Sequence, residues 1–142
     1  MKGLNGISNL KQLLNLETIN SILKNIYMKF IVSILLSALF AYAVGIYGNL
    51  PWWSFVITNL IISIAFNQTP MKSFLAGAIG VGALWAGLAF GIDVANNHIL
   101  SVKVATLLPL KGSYIALISI TTIIGFLLGG LSALTGAFVR KA

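Results

Sequence analysis

The sequence predicts an all-α membrane protein, with four transmembrane helices in an antiparallel bundle that follow an amphipathic interfacial helix. Three long stretches of the 142-residue chain carry no charged residue: Phe30–Met71, Ser73–Ile92 and Gly112–Val139. A helix needs about 20 apolar residues to cross a hydrocarbon core about 30 Å thick, so the first stretch is long enough for two crossings. Only 8% of the residues are charged, against about 25% in soluble domains. Because the apolar runs do not alternate with period two, helices are predicted rather than barrel strands.

The N-terminal segment, residues 1–29, is predicted to form the amphipathic helix. Apolar residues recur at spacings of three and four on one face, at Leu13, Leu16, Ile19, Leu23 and Ile26. Such a helix lies in the membrane interface or packs on another protein, and both interpretations stay open. Residues 1–28 have neither the long apolar core nor the cleavage site of a secretory signal peptide, so the first transmembrane helix is expected to be an uncleaved signal anchor.

The transmembrane domain is predicted over residues 30–142. Its four helices are expected at about 30–47, 52–66, 73–91 and 114–139. The break Gly48-Asn49-Leu50-Pro51 separates the first two helices, because proline suits the first turn of a helix and not its interior.

Two connections complete the predicted bundle. Residues 67–70 form a polar turn that closes a hairpin between the second and third helices. The segment 92–113 is too apolar for a solvated loop and too interrupted for a crossing, so it is predicted to contain a short interfacial or partly re-entrant helix. Pro109 and Gly112 are expected to end that helix.

The positions of lysine and arginine predict the topology. Two basic residues, Lys103 and Lys111, lie between the third and fourth predicted helices. The other seven fall on the opposite side of the predicted membrane: Lys2, Lys11, Lys24, Lys29, Lys72, Arg140 and Lys141. By the positive-inside rule, both termini are cytoplasmic and the 92–113 segment is outside.

Small residues four positions apart form shallow grooves on three helices, and we expect these rows to be helix-packing faces. The first helix has the row Ser33, Ser37, Ala41 and Gly45. The third has Ala83, Gly87 and Gly91, and beside them Ala78, Gly82 and Ala86. The fourth has Thr121, Gly125, Gly129, Ala133 and Ala137. Packing within one chain and packing between subunits both remain possible from the sequence.

The polar residues Asp93, Asn96, Asn97 and His98 are the candidate ligand-binding cluster. Aspartate and histidine together can transfer protons or bind a metal, but one histidine with one acid is too small a set for a protein-only metal site. We therefore predict no metal and no cofactor, and a helix-end cap is the alternative interpretation. Asn59 is a further candidate, either as an interhelical hydrogen-bonding residue or as part of a polar path.

Composition argues against several classes of function. The only acids are Glu17 and Asp93, and neither falls within the middle of a predicted helix, where ion-coupled transporters keep their coupling group. The chain has one histidine and no cysteine, which removes most catalytic schemes and thiolate metal sites, so no enzyme is expected. The basic residues are too scattered for nucleic-acid binding.

Several segments resemble small integral membrane proteins of the Bacteroidota for which no activity is assigned. They are Pro51-Trp52-Trp53-Ser54, Gln68-Thr69-Pro70, Phe74–Gly77 with Trp85, Asp93 with Asn97–Ser101, Pro109–Ser113 and Gly130–Arg140. The resemblance covers about residues 50–140 and implies location in a bacterial inner membrane.

Together these patterns lead us to expect an integral inner-membrane protein that acts through helix–helix contacts. It would be an accessory or scaffold subunit or a self-associating unit, surrounded by membrane lipids and paired with a second copy or another membrane protein. The alternative is an oligomeric channel or small-solute permease built from glycine-lined helices, with Asn59 on the path. A further alternative is an enzyme that uses Asp93 and His98 at the outer surface.

Overall fold

The computed structural model of the chain describes residues 3–46 and 50–141. Within these ranges, side chains are described at residue 12 and from residue 14 onward. The described residues form five α-helices and no strand. The helices are α1 Gly3–Ile46, α2 Ser54–Ala65, α3 Pro70–Ala95, α4 Ile99–Leu107 and α5 Tyr114–Val139. Three stretches are long and apolar enough to cross a membrane: Leu14–Ile46, Pro70–Ala95 and Tyr114–Val139.

The predicted interfacial helix and the first predicted transmembrane helix are one continuous helix, α1. No glycine or proline interrupts the chain between residues 7 and 44, and at 1.5 Å per residue α1 is about 66 Å long. The side chains of residues 14–29 are all exposed, whereas Ser33, Ser37 and Ala41 are buried. The N-terminal half of α1 therefore extends beyond the packed part of the protein. The side chains of Lys11 and Leu13, and the predicted break at Gly48 and Asn49, lie outside what the structure describes.

The other helices differ from their predicted bounds in specific ways. Helix α2 is shorter than the predicted 52–66, because Trp52 and Trp53 form a turn before it. Helix α3 is longer than the predicted 73–91, because Pro70 starts its first turn instead of ending the preceding polar connection. Helix α4 is the short helix expected within 92–113, and α5 has the predicted bounds 114–139.

The amide of Asn59 on α2 joins three helices in the interior. Its Oδ1 accepts a hydrogen bond from Ser37 Oγ on α1 at 2.6 Å. Its Nδ2 donates to the carbonyl oxygen of Gly129 at 2.6 Å and to Ser132 Oγ at 2.9 Å, both on α5. Asn59 is only 2% exposed. Because both N–H groups and the oxygen are used, the amide is satisfied in an apolar interior where an unpaired polar group is costly.

Glycines bring the backbones of α3 and α5 close together around this amide. A Cβ added at Gly129 would lie 2.7 Å from Val81 Cβ, and one added at Gly77 would lie 2.6 Å from Ala133 Cβ. Further along, Gly125 packs under the ring of Trp85. Neither glycine at the closest approach can carry a side chain unless the helices separate, so the absence of Cβ sets the helix distance.

Not every predicted packing residue contacts another helix of the chain. The structure leaves Gly45, Gly87 and Gly91 with no atom within 4 Å of an added Cβ, and Ala83 is exposed. Helix α3 packs instead through the neighbouring predicted row, in which Ala78 and Gly82 are buried, together with Ala76 and Val81. Rows of small residues occur on more than one face of α3, and the spacing alone does not show which face meets α5.

Most residues of the predicted rows on α1 and α5 are buried. Gly125, Gly129 and Ala133 of α5 are buried, and Thr121 is half-buried beside them. Together with the buried Ser33, Ser37 and Ala41 of α1, they occupy the interior of the helix assembly.

Arg140 closes the end of the bundle that contains the connection between α2 and α3. Its Nη1 donates to the carbonyl oxygens of Ser63 at 3.0 Å and Phe66 at 2.6 Å. Its Nη2 donates to the carbonyl oxygen of Gln68 at 2.6 Å. The last carbonyls of α2 have no intrahelical partner, so the guanidinium serves as their cap.

We predict that Gly129→Ala lowers stability, whereas the control Gly87→Ala does not. The new methyl group at position 129 would overlap Val81, and such overpacking costs about 1–3 kcal/mol. At position 87 the methyl group meets nothing and removes the flexibility of glycine in the unfolded chain. Thermal unfolding in detergent compares the two variants. Equal unfolding temperatures would contradict the close approach of α3 and α5.

Candidate functional site

The predicted polar cluster is centred on Asp93, which lies in the last turn of α3 and is 5% exposed. Its Oδ2 accepts a hydrogen bond from His98 Nδ1 at 2.6 Å, and its Oδ1 accepts one from Ser101 Oγ. Because a carboxylate only accepts hydrogen bonds, Nδ1 is the protonated nitrogen of the histidine. The carboxylate thus links the end of α3 to the start of α4.

The backbone between the two helices places these side chains. Asn97 and His98 have positive φ angles of 50° and 61°, values at which asparagine and histidine are enriched among non-glycine residues. The N–H of His98 donates to the carbonyl oxygen of Asp93 at 3.0 Å, which closes the end of α3. The chain then turns directly into α4 at Ile99, and the first turn of α4 returns Ser101 to the carboxylate.

The imidazole of His98 is also held from its other side. It stacks on the ring of Tyr114, with the ring centroids 4.3 Å apart and an interplanar angle of 29°. Tyr114 is the first residue of α5, so the histidine connects α3, α4 and α5. Its side chain is 40% exposed, whereas that of Asp93 is 3% exposed.

A cavity of about 180 Å³ lies beside the cluster, between α3, α4 and α5. Four polar residues contribute to its wall, namely Asp93, Asn96, Ser101 and Thr121. The rest of the wall is apolar, and consists of Ala89, Ile92, Leu100, Val104, Leu117 and Ile118. Most of the cavity wall is apolar. At its polar edge, both oxygens of the Asp93 carboxylate already accept hydrogen bonds from His98 and Ser101.

The geometry of Asp93, His98 and Ser101 differs from that of a nucleophilic triad. In a triad the histidine lies between the acid and the serine and takes the proton of the hydroxyl. Here the carboxylate lies between the other two residues, and Ser101 donates to Asp93 rather than to His98. The described part of the chain has no group of three metal-binding side chains. The arrangement is suited to fixing the α3–α4 connection.

The predicted residues are thus divided between two places. Asp93, Asn96 and His98 lie together, and Asn97 is exposed next to them. Asn59 lies apart from them, in the bundle interior, with its amide fully hydrogen-bonded to α1 and α5.

Sequence reasoning did not assign Ser101 and Tyr114 to this cluster. A signal for Ser101 exists, because it lies three residues after His98, the N-cap of α4, and this spacing brings an N-terminal helix residue back to its cap. No comparable signal exists for Tyr114, which comes from another helix. Searches against family models, curated proteins and solved structures found no match.

We predict that Ser101→Ala destabilises the protein by about 1–3 kcal/mol, because it leaves one oxygen of a buried carboxylate without a partner. The matched control is Ser119→Ala on α5, whose exposed hydroxyl donates to the carbonyl oxygen of Ile115 within the same helix. An exposed substitution of that kind is expected to change stability by less than about 0.5 kcal/mol. Thermal unfolding in detergent measures both, and equal effects would contradict the linking role of Asp93.

Proposed function

We propose that the chain is a four-crossing integral membrane protein that acts through helix contacts, as an accessory or scaffold subunit or a self-associating unit. Helices α1, α2, α3 and α5 form the membrane bundle. The bundle lies in the bacterial inner membrane, with both termini on the cytoplasmic side. The N-terminal half of α1 is the surface to which a second copy or another membrane protein binds. The observation that carries the proposal is the exposed apolar stripe on that half of α1, formed by Leu16, Ile19, Leu23 and Ile26.

The contacts of α2 support its place as a fourth, antiparallel crossing. Gln68, just after α2, donates from Nε2 to the carbonyl oxygen of Lys29 on α1 at 3.1 Å. Near the start of α2, Phe55 belongs to the same apolar cluster as Ala41 of α1. The segment from Phe55 to Gln68 therefore runs beside α1 in the opposite direction. The pairs Phe74–Gly130 and Trp85–Gly125 support the same reversed order for α3 and α5.

The stripe on α1 continues the face that packs inside the bundle. Successive residues turn by about 100° around a helix axis, so Leu16, Ile19, Leu23 and Ile26 lie on the same side as the buried residues Ser33 and Ser37. The stripe residues are between 37% and 56% exposed, whereas Ser33 and Ser37 are at most 4% exposed. An exposed, contiguous apolar face of this kind is typical of an interaction surface.

The alternative of a channel or permease has less support in the described residues. The amide of Asn59 has no hydrogen-bonding group left to line a path. Asp93 is the only buried ionisable side chain described, and it lies at the end of α3 rather than midway along a helix.

The topology is testable with single cysteines, because the natural chain has none. We predict that Leu50→Cys and Lys103→Cys react with a membrane-impermeant maleimide in spheroplasts, whereas Lys141→Cys reacts only after permeabilisation. All three natural side chains are exposed. If positions 50 and 103 label on opposite sides, α2 does not cross. If all three accessibilities are reversed, the orientation is inverted.

The docking role is testable on the stripe itself. We predict that Leu16→Asp with Leu23→Asp removes self-association or the copurifying partner from native membranes, because two charges prevent burial of the apolar face. The control is Thr18→Asp with Asn25→Asp, which adds the same charge to the polar face of α1. Chemical cross-linking in membranes and the mass of the purified complex are measured for both double variants. Unchanged association of the stripe variant would contradict the proposal.

A further inference from the structure

We propose that the bundle end with the α2–α3 connection binds one anionic phospholipid between α1 and α3. The phosphate lies between Lys29 and Lys72, and one acyl chain follows Phe30 and Leu75 into the membrane. The proposal uses the membrane insertion described above. The site adjoins the stripe on α1 at Ile26, but the lipid contacts do not require a docked partner.

A polar hollow of about 200 Å³ lies at this end of the protein. Its walls come from α1, from the α2–α3 connection and from the first turn of α3, and they consist of Ile26, Lys29, Asn67, Gln68, Thr69 and Lys72. The two lysines approach the hollow from different helices, and both side chains are exposed. The hollow is thus lined by two lysines from different helices and by residues that carry amide or hydroxyl groups.

An apolar hollow of about 190 Å³ adjoins the polar one. It is lined by Tyr27, Phe30 and Leu75, and it shares Ile26 and Lys72 with the polar hollow. Phe30 and Leu75 lie further into the predicted membrane than Lys29 and Lys72, so the apolar hollow extends from the headgroup level toward the hydrocarbon core. A free phosphate ion would use the first hollow alone, whereas a phospholipid would use both.

The charges at this end favour an anion. The only described ion pair joins His98 and Asp93, at the other end of α3, so within the described residues neither Lys29 nor Lys72 has an acidic partner. The other acid, Glu17, is twelve residues before Lys29 on α1, about 18 Å along the helix. Arg140 donates to three backbone carbonyls and serves as a cap. The first turn of α3 adds positive potential, since Thr69 makes no side-chain capping hydrogen bond there.

Gln68 gives an independent indication of a ligand. It is only 8% exposed, and its Nε2 donates to the carbonyl oxygen of Lys29. Its Oε1 is buried and has no hydrogen-bond partner among the described residues. Buried polar atoms are normally paired. A headgroup that carries hydroxyl groups beside its phosphate, such as glycerol, would supply the missing donor together with the anion.

The test uses the full-length protein in an uncharged detergent. Phosphatidylglycerol, phosphatidylcholine and inorganic phosphate are added separately, and the unfolding temperature and the bound lipid by native mass spectrometry are recorded. We expect phosphatidylglycerol alone to raise the unfolding temperature and to remain bound. Lys29→Gln and Lys72→Gln should each weaken its binding about fivefold, the equivalent of about 1 kcal/mol for a lysine near an anionic lipid.

Two controls make the result specific. Lys103→Gln removes an exposed lysine from α4, at the other end of the bundle, and should leave the binding of phosphatidylglycerol unchanged. The Leu16→Asp, Leu23→Asp double variant should also keep the lipid, even though its docking face is disrupted. Equal effects of phosphatidylcholine and phosphatidylglycerol would overturn the proposal. An equal effect of inorganic phosphate would also overturn it, because that ion needs no acyl groove.

Discussion

The helix assembly depends on satisfying one amide in an apolar interior. Asn59 uses its whole side-chain amide to join α2 to α1 and α5. In such an interior, apolar surface gives little preference for one arrangement of helices over another, because lipid tails are equally apolar. A buried amide does discriminate between arrangements, since a shifted or rotated helix would leave its groups unpaired. In the observed arrangement, Gly129 both approaches α3 closely and accepts a hydrogen bond from Asn59.

The two ends of the bundle are built differently. At the α2–α3 end, Arg140 caps α2, and within the described residues Lys29 and Lys72 have no acidic partner, so positive charge remains available at the surface. At the other end lies the only ion pair among the described residues, between Asp93 and His98, and it holds α4 against α3 and α5. The first end is therefore suited to contacts with anionic groups, whereas at the second end the polar side chains hydrogen-bond one another beside a mostly apolar cavity.

The long helix α1 connects these features to the proposed function. Its C-terminal half is packed through Ser33, Ser37 and Ala41, whereas its N-terminal half has no covering element among the described residues. A surface-exposed helix of this length derives most of its stability from packing on an amphipathic face. A partner along the apolar stripe would supply that packing and would extend the helix contacts beyond the bundle.

The sequence by itself determined the helical class, the membrane character and the extent of α5. Long charge-free runs can satisfy their backbone only as helices, and this constraint is local to each segment. The sequence also identified Asp93, Asn96 and His98 as neighbours, because they lie within six positions of one another. The tertiary structure decided which glycines meet another helix, since rows of small residues occur on more than one face of α3. It also decided that Asn59 is a junction of three helices and that Tyr114 stacks on His98, because both depend on contacts between segments far apart in the chain.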